Sequence, residues 1–366
     1  MTITPEKDKN HTAVTPSKYN IMLIWAPDTQ ERVQKVQKIL IENLEEEVSM
    51  QIVPFKKFSN SAWDPILPDS VRGKHVYVYV DVESEYNNLE MRADMNSRYM
   101  FARGILNDVK LYGAKTINVV FPMYPYARSD KWEKVWMEHT QKRKPIYAQM
   151  VAADMRNHGI DYLITLDIHN PATLSFYGGE KNDPIAINIP HSWVIQQWLK
   201  KHNLTNNFEI WSTDAGGTDK LQRLLEDMKV NGYVAFKSRD FAQANKVDKL
   251  FIYPWFAQIT WKDIVVYDDM IDTAWTLETA VMEIQKHKPK SIIIISTHGL
   301  FNGAAIQKLQ NLYDTKQIEA IYITDSVYRE NLPEFIHVMW TENIIARQIA
   351  RKAQGQLLDP NWGGIE

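Results

Sequence analysis

Two adjacent acids, Asp268 and Asp269, follow the apolar run Val265-Val266-Tyr267 and precede Met270-Ile271-Asp272-Thr273-Ala274-Trp275-Thr276. Neighbouring carboxylates can accept two hydroxyls of a ribose, and hydroxyls with backbone N–H groups at a helix start can hold a phosphate. A strand-to-helix turn capped by Asp or Thr has the same local pattern. Four other apolar runs also end in polar residues. Ser212-Thr213-Asp214-Ala215-Gly216-Gly217-Thr218 combines two glycines, which let backbone approach a phosphate, with a carboxylate able to reach a metal. Leu166-Asp167-Ile168-His169-Asn170-Pro171 offers an imidazole, as a metal or phosphate ligand or as a structural loop histidine. Phe121 to Lys131 opens a hydrophilic stretch in which residues 128–144 hold six Lys/Arg against three Asp/Glu. That excess suits closure over a polyphosphate, or a solvated loop. In Phe236-Lys237-Ser238-Arg239, alternate residues of an extended chain put two cations on one side. Such a pair can steady a transferring phosphoryl group, or be surface charge.

These segments need a scaffold that gathers strand ends. Short apolar runs alternate with amphipathic stretches. Strands are expected at Ile21–Trp25, Val76–Val80, Thr116–Phe121 and Tyr162–Leu166, with helices at Glu31–Glu46, Leu89–Tyr112 and Ile146–Asn157. After the turn-rich segment Gly178 to Pro184 the alternation resumes. Strands are expected at Glu209–Ser212, Tyr233–Phe236, Ile264–Tyr267, Ser291–Ser296 and Ala320–Thr324. Helices are expected at His191–Lys200, Thr218–Asp227, Thr276–Lys286, Ala304–Asn311 and Glu342–Lys352. This is the pattern of α/β units with mainly parallel sheets, whose ligands collect beyond the carboxyl ends of the strands. The expected division is a loose extension over 1–18, one α/β domain over 19–185 and a second over 186–366.

Composition narrows the chemistry. The chain has 366 residues, a net charge of −3 and no cysteine. Disulfides, thiolate metal sites and a cysteine nucleophile are therefore excluded. The charge balance does not give the basic field of a nucleic-acid binder, and no apolar run is long enough to span a membrane, so a cytoplasmic protein is expected. Phosphate-binding and metalloprotease motifs of the forms G-x-x-x-x-G-K-[ST], G-x-G-x-x-G and H-E-x-x-H are absent.

Taken in order, the polar segments resemble the ribose-phosphate diphosphokinase (PRPP synthetase) family over about Ile21 to Leu357. The motifs are Phe58-Ser59-Asn60, Pro125-Tyr126-Ala127-Arg128-Ser129-Asp130-Lys131, Asp167-Ile168-His169, Asp214-Ala215-Gly216-Gly217, Lys237-Ser238-Arg239, Asp268 to Thr273, and Thr297-His298-Gly299-Leu300-Phe301. The resemblance implies two tandem type I phosphoribosyltransferase-like domains and transfer of the β,γ-diphosphoryl group of Mg-ATP to an anomeric hydroxyl, releasing AMP. It implies that Phe58 and Asn60 contact adenine from a neighbouring subunit. Arg128, Ser129, Asp130, Lys131 and His169 complete the ATP site, and His169 and Asp214 hold Mg²⁺. Lys237 and Arg239 stabilise the transition state. Asp268 and Asp269, with Asp214, face the sugar, and Asp272, Thr273, Ala274, Trp275 and Thr276 surround its 5-phosphate. Self-association as a dimer or hexamer is the corresponding expectation. A catalytically silent regulatory subunit and a phosphoribosyltransferase are the alternatives. The cationic pair argues against the first, and the ATP elements against the second.

The sequence departs from the family in three places. The 5-phosphate loop usually reads D-T-[AC]-G-T, and here Trp275 stands at the glycine. Ser129 replaces a Gln. The stretch from Lys131 to Lys144 is longer and carries Trp132 and Trp136. An indole beside that phosphate can stack on an aromatic base attached through it. The acceptor is thus either ribose 5-phosphate, giving PRPP, or ADP-ribose, giving ADP-ribose 1-pyrophosphate in NAD metabolism.

Overall fold

The structure, a computed structural model, describes residues 17–26, 29–60, 62–83, 94–131, 134–135, 140–141, 145–180, 183–202, 208–213, 225, 232–239, 247–253 and 259–356. The first half runs β1 (Ile21–Trp25), α1 (Gln30–Leu44), β2 (Ser49–Ile52), a hairpin of β3 (Phe55–Lys57) and β4 (Trp63–Pro65), β5 (His75–Tyr79), α2 (Met95–Leu111) and β6 (Thr116–Phe121). The short strands β7 (Lys134–Val135) and β8 (Thr140–Gln141) precede α3 (Tyr147–His158) and β9 (Tyr162–Leu166). A 3-10 turn (Pro171–Phe176) follows, then β10 (Gly179–Glu180), β11 (Asp183–Pro184) and β12 (Ala186–Ile189). The second half runs α4 (His191–His202), β13 (Phe208–Ser212), β14 (Gly232–Arg239), β15 (Val247–Tyr253) and β16 (Asp263–Ile271). It ends with α5 (Trp275–Gln285), β17 (Ser291–Gly299), α6 (Ala305–Asp314), β18 (Ala320–Thr324), β19 (Ile336–Met339) and α7 (Glu342–Ala353).

Two mainly parallel sheets result. The first has the order β12-β9-β6-β5-β1-β2, and the second β15-β14-β13-β16-β17-β18-β19. Among the described residues, only β14 and β15 pair antiparallel within these two sheets. Strand β1 reads as an unbroken apolar run, and β6 and β9 as nearly so, because helices cover both faces of a parallel sheet and alternation is not required. The helices α1, α4 and α7 lie where the halves meet. Val33, Val36, Leu40 and Leu44 of α1 recur at helical spacing and share one core with Trp198 of α4 and Ile345 and Ile349 of α7. The same core reaches Tyr77 and Ile164 of the first sheet and Val265 and Ile295 of the second, so the halves are welded by apolar packing. Truncating Leu40, which is fully buried, to Ala would cost about 2–5 kcal/mol.

Three expectations change. The strand Ala186–Ile189 pairs with β9, so the first sheet continues past the expected boundary at 185. Ser17 Oγ donates to Glu46 at 2.7 Å, which anchors the chain before residue 19; residues 1–16 lie outside the described residues, as does nearly all of the helix expected at 218–227. The strand expected at Ile264–Tyr267 extends to Ile271. Hydrogen bonding to β17 carries it on, with Asp268 opposite Ser296 and Ile271 opposite Gly299. The two acids therefore belong to a strand rather than to a loop.

Candidate active site

Parallel sheets place the carboxyl ends of their strands on one rim, and here the two rims meet. Asp167, just past β9, is buried and takes a φ of +37°, which a non-glycine residue rarely adopts. Its carboxylate accepts a hydrogen bond from the Tyr267 hydroxyl of β16 and another from Thr297 Oγ1 of β17 at 2.8 Å. Burial, reinforced by the Asp167 charge, holds the Tyr267 pKa well above the ordinary phenol value. The hydroxyl therefore stays a donor throughout the physiological range. His298, equally buried, faces Ser326 Oγ at 2.8 Å through Nδ1 and the Leu166 carbonyl at 3.2 Å through Nε2. The bonds of Tyr267 and Thr297 to Asp167 and of His298 to the Leu166 carbonyl cross between the halves.

Above them, His169 Nδ1 lies 2.6 Å from Asp269 Oδ2, with both side chains still partly open to solvent. Asp268 Oδ2 accepts from Thr213 Oγ1 at 2.6 Å, which ties the acid strand to the start of the Gly-rich segment. Arg128 forms an ion pair with Asp272, joining the expected ATP loop to the expected phosphate loop. Asn302 Nδ2 also donates to Asp272, at 2.8 Å. Residues expected from the sequence on both halves thus converge: Arg128 and His169 from the first, Asp268, Asp269 and Asp272 from the second.

The expected phosphate loop has a distinct local geometry. Ala274 has a φ of +58°, and Trp275 is the first residue of α5. The left-handed conformation that a glycine would ease falls one residue before the tryptophan, so Trp275 itself carries no backbone strain. Ala274 is buried and supplies no side-chain cap, and the first N–H groups of a helix have no intrahelical acceptor. With Thr273 and Thr276 beside them, they make a turn suited to an anion.

Other expected residues are placed differently. Asp130 is buried and accepts from Asn170 Nδ2 at 2.7 Å, so it holds the loop after β6 to the loop after β9 rather than facing a ligand. Ser129 Oγ contacts the Pro145 carbonyl at 3.2 Å and the Tyr147 N–H at 3.3 Å, fastening the same loop to the start of α3. Lys131 is exposed. Phe58 and Asn60 stand at the tip of the β3–β4 hairpin, whose base is a stacked Phe55–Trp63 pair 4.6 Å apart. Phe58 is 42% exposed, and Asn60 Oδ1 accepts from the Ala62 N–H within the turn. Lys237 and Arg239 lie inside β14 rather than after it, and the register shifts between Ser238 and Arg239. Because Val234 pairs with Ser212, the last residue of β13, Lys237 stands three residues beyond that strand's end. At strand rise this is about 10 Å past the rim. Asp214, Trp132 and Trp136 lie outside the described residues.

The sequence gives no individual site role to Tyr267, Thr297, Asn302, Asn170 or Thr213. Nothing in their types announces these partners, which for Tyr267 and Thr297 lie in the other half.

Among the described residues no group of three or more His, Asp or Glu side chains forms a metal cage. The donors at the rim are one imidazole and a few carboxylates, which fits Mg²⁺, an ion commonly held by one or two carboxylates together with substrate phosphates and water.

Residues 22–159 match the N-terminal domain of ribose phosphate pyrophosphokinase. The phosphoribosylpyrophosphate synthetase of Mycobacterium smegmatis is similar over 92% of this chain and 99% of its own, with a TM-score of 0.74 and 22% identity. A purine phosphoribosyltransferase from Pyrococcus horikoshii matches 41% of this chain and 80% of its own at 18% identity, with a TM-score of only 0.25.

Proposed function

Since residues 22–159 carry the N-terminal domain of ribose phosphate pyrophosphokinase, in a chain with the two-domain fold of a phosphoribosylpyrophosphate synthetase, we propose that the protein is an ATP-dependent diphosphokinase. Its acceptor is a sugar with a free anomeric hydroxyl and a 5-phosphate. The observation that carries this reading is the convergence of Arg128 and His169 with Asp268, Asp269 and Asp272 across the seam.

The anomeric oxygen attacks the β-phosphorus of ATP, and a new O–P bond forms. The bond from that phosphorus to the α,β-bridging oxygen breaks, AMP leaves with the bridging oxygen, and the hydroxyl proton is released. Little covalent work falls to side chains in such transfers, and positioning with charge stabilisation accounts for most of the rate. Asp268 and Asp269 accept the ribose hydroxyls. The first turn of α5, with Thr273 and Thr276, receives the 5-phosphate. Asp272 leaves Arg128 when Arg128 turns to the adenine of ATP. Lys237 and Arg239 balance the charge that builds on the transferred group. His169 and Asp214 would hold Mg²⁺, which when bound neutralises phosphate charge. Phe58, exposed at its hairpin tip, with Asn60 serves the adenine of an adjacent subunit, which makes the active form an oligomer.

A second reading concerns the acceptor. Trp275 stands 43% exposed beside the phosphate turn, where a bare terminal phosphate needs no aromatic surface. This favours ADP-ribose over ribose 5-phosphate. Initial rates of AMP release, measured with ATP, Mg²⁺ and each acceptor in turn, test it. A larger kcat/KM with ADP-ribose supports the extended acceptor, whereas AMP release with ribose 5-phosphate alone rejects it and leaves the reaction standing.

A further inference from the structure

Helices α5 and α6 follow the neighbouring strands β16 and β17 and pack side by side, so both begin at the carboxyl rim of the second sheet. Trp275 is the first residue of α5 and Lys308 the fourth of α6. The Lys308 ammonium lies 4.3 Å from the centre of the Trp275 ring. It also reaches Glu278 Oε2, one turn further along α5, at 3.1 Å, and this pair holds it above the indole. The connection entering α6 is fixed to the phosphate loop, because Asn302 donates to Asp272.

Neither residue suits its place on local grounds. An indole at a first helical position caps nothing, and Trp275 leaves much of its apolar surface in water. A lysine in the first turn of a helix meets the unfavourable end of the helix dipole. Both costs would be offset by a ligand with an aromatic part and a negative charge. We infer that Trp275 and Lys308 form an outer subsite for the part of an acceptor that lies beyond its 5-phosphate: an aromatic base joined through a diphosphate bridge. The inference rests on the assignment of the α5 amino end to the 5-phosphate. The indole provides the stacking face for the base. The ammonium, poised by Glu278, meets the outer phosphate of the bridge.

The test uses the full chain with Lys308→Gln, Lys308→Arg, Trp275→Gly and Trp275→Phe, each checked for an unchanged thermal midpoint. The readouts are the ratio of kcat/KM for ADP-ribose to that for ribose 5-phosphate, and the heat of ADP-ribose binding without ATP. Lys308→Gln and Trp275→Gly should each lower the ratio by about tenfold, through KM for ADP-ribose. Lys308→Arg and Trp275→Phe, which keep the cation and an aromatic face, should hold it within about threefold of the parent. If ADP-ribose is used and all four variants keep the parent ratio, the subsite is overturned while the extended acceptor survives. If ribose 5-phosphate alone supports AMP release and ADP-ribose gives no binding heat, both fail and the reaction stands. AMP release with neither acceptor contradicts the reaction itself.

Discussion

The two halves share a strand plan but finish their strands in opposite chemistry. In the first, the loops after β6 and β9 present Arg128 and His169, and the acids near them are buried as fasteners, Asp130 on Asn170 and Asp167 on Tyr267 and Thr297. In the second, β16 itself runs on to carry Asp268 and Asp269 past the end of β13, and its loop adds Asp272. A nucleotide's phosphates call for cations and a sugar's hydroxyls call for carboxylates. Repeating one fold with different strand endings provides both on facing rims. The site therefore belongs to the seam, and the apolar weld of α1, α4 and α7 is what keeps the rims opposed.

That contrast can be broken most severely at β14, the strand of the second half that carries the proposed cationic pair Lys237 and Arg239. Lys237→Ala or Arg239→Ala should lower kcat by about 10²–10³-fold while ATP affinity stays within a few-fold. Rapid-quench rates with separate ATP titrations check this, and a variant with kcat near the parent value would return Lys237 and Arg239 to surface charge.

A smaller effect is expected beneath the seam. Tyr267→Phe removes a donor to a buried carboxylate, which costs about 1.5–3 kcal/mol in hydrogen bonding to a charged group. Because Asp167 and Tyr267 each precede site residues in the chain, kcat should fall about tenfold with KM for ATP changed less than about threefold. Steady-state kinetics beside a thermal melt separate the outcomes. Lost stability with unchanged kcat would make the contact purely structural.

The smallest effect distinguishes the halves by pH. Burial lowers the pKa of His75 and of His158, both in the first half, below the ordinary histidine value of 6.5. As pH falls through 6.5, the unfolded chain takes up protons that the folded chain resists, so the contribution of these residues to stability is full above 6.5 and is lost below it. Replacing both with Gln should flatten the fall in thermal midpoint between pH 7.5 and 5.5. An unchanged slope would place the acid sensitivity elsewhere.

Much of this was legible in the sequence, for definable reasons. The strands β1, β6, β9 and β18 are apolar runs of strand length, and helices such as α1 show their buried face by spacing. The strand β12 was missed because it follows a turn-rich segment that reads as a boundary, and β19 because its run is short and half-exposed. The extension of β16 was hidden because Asp268 and Asp269 look like a loop until the register with β17 is known. The acids, Arg128 and His169 were recognisable as types that do phosphate and sugar chemistry. Their bonding across the seam was not, since Asp167 and Tyr267 are 100 residues apart and only the tertiary fold makes them neighbours. Asp130 and Ser129 sit in a recognisable motif yet are tied to neighbouring loops, Asp130 as a buried residue, a distinction that depends on packing.

The central claim is transfer of a diphosphoryl unit, and following the terminal phosphate of ATP tests it most directly. With ATP labelled at the γ-phosphorus, Mg²⁺ and the preferred acceptor, the label should appear in the sugar product in a 1:1 ratio with AMP. ADP as the nucleotide product, or label recovered only as free phosphate, would contradict the account.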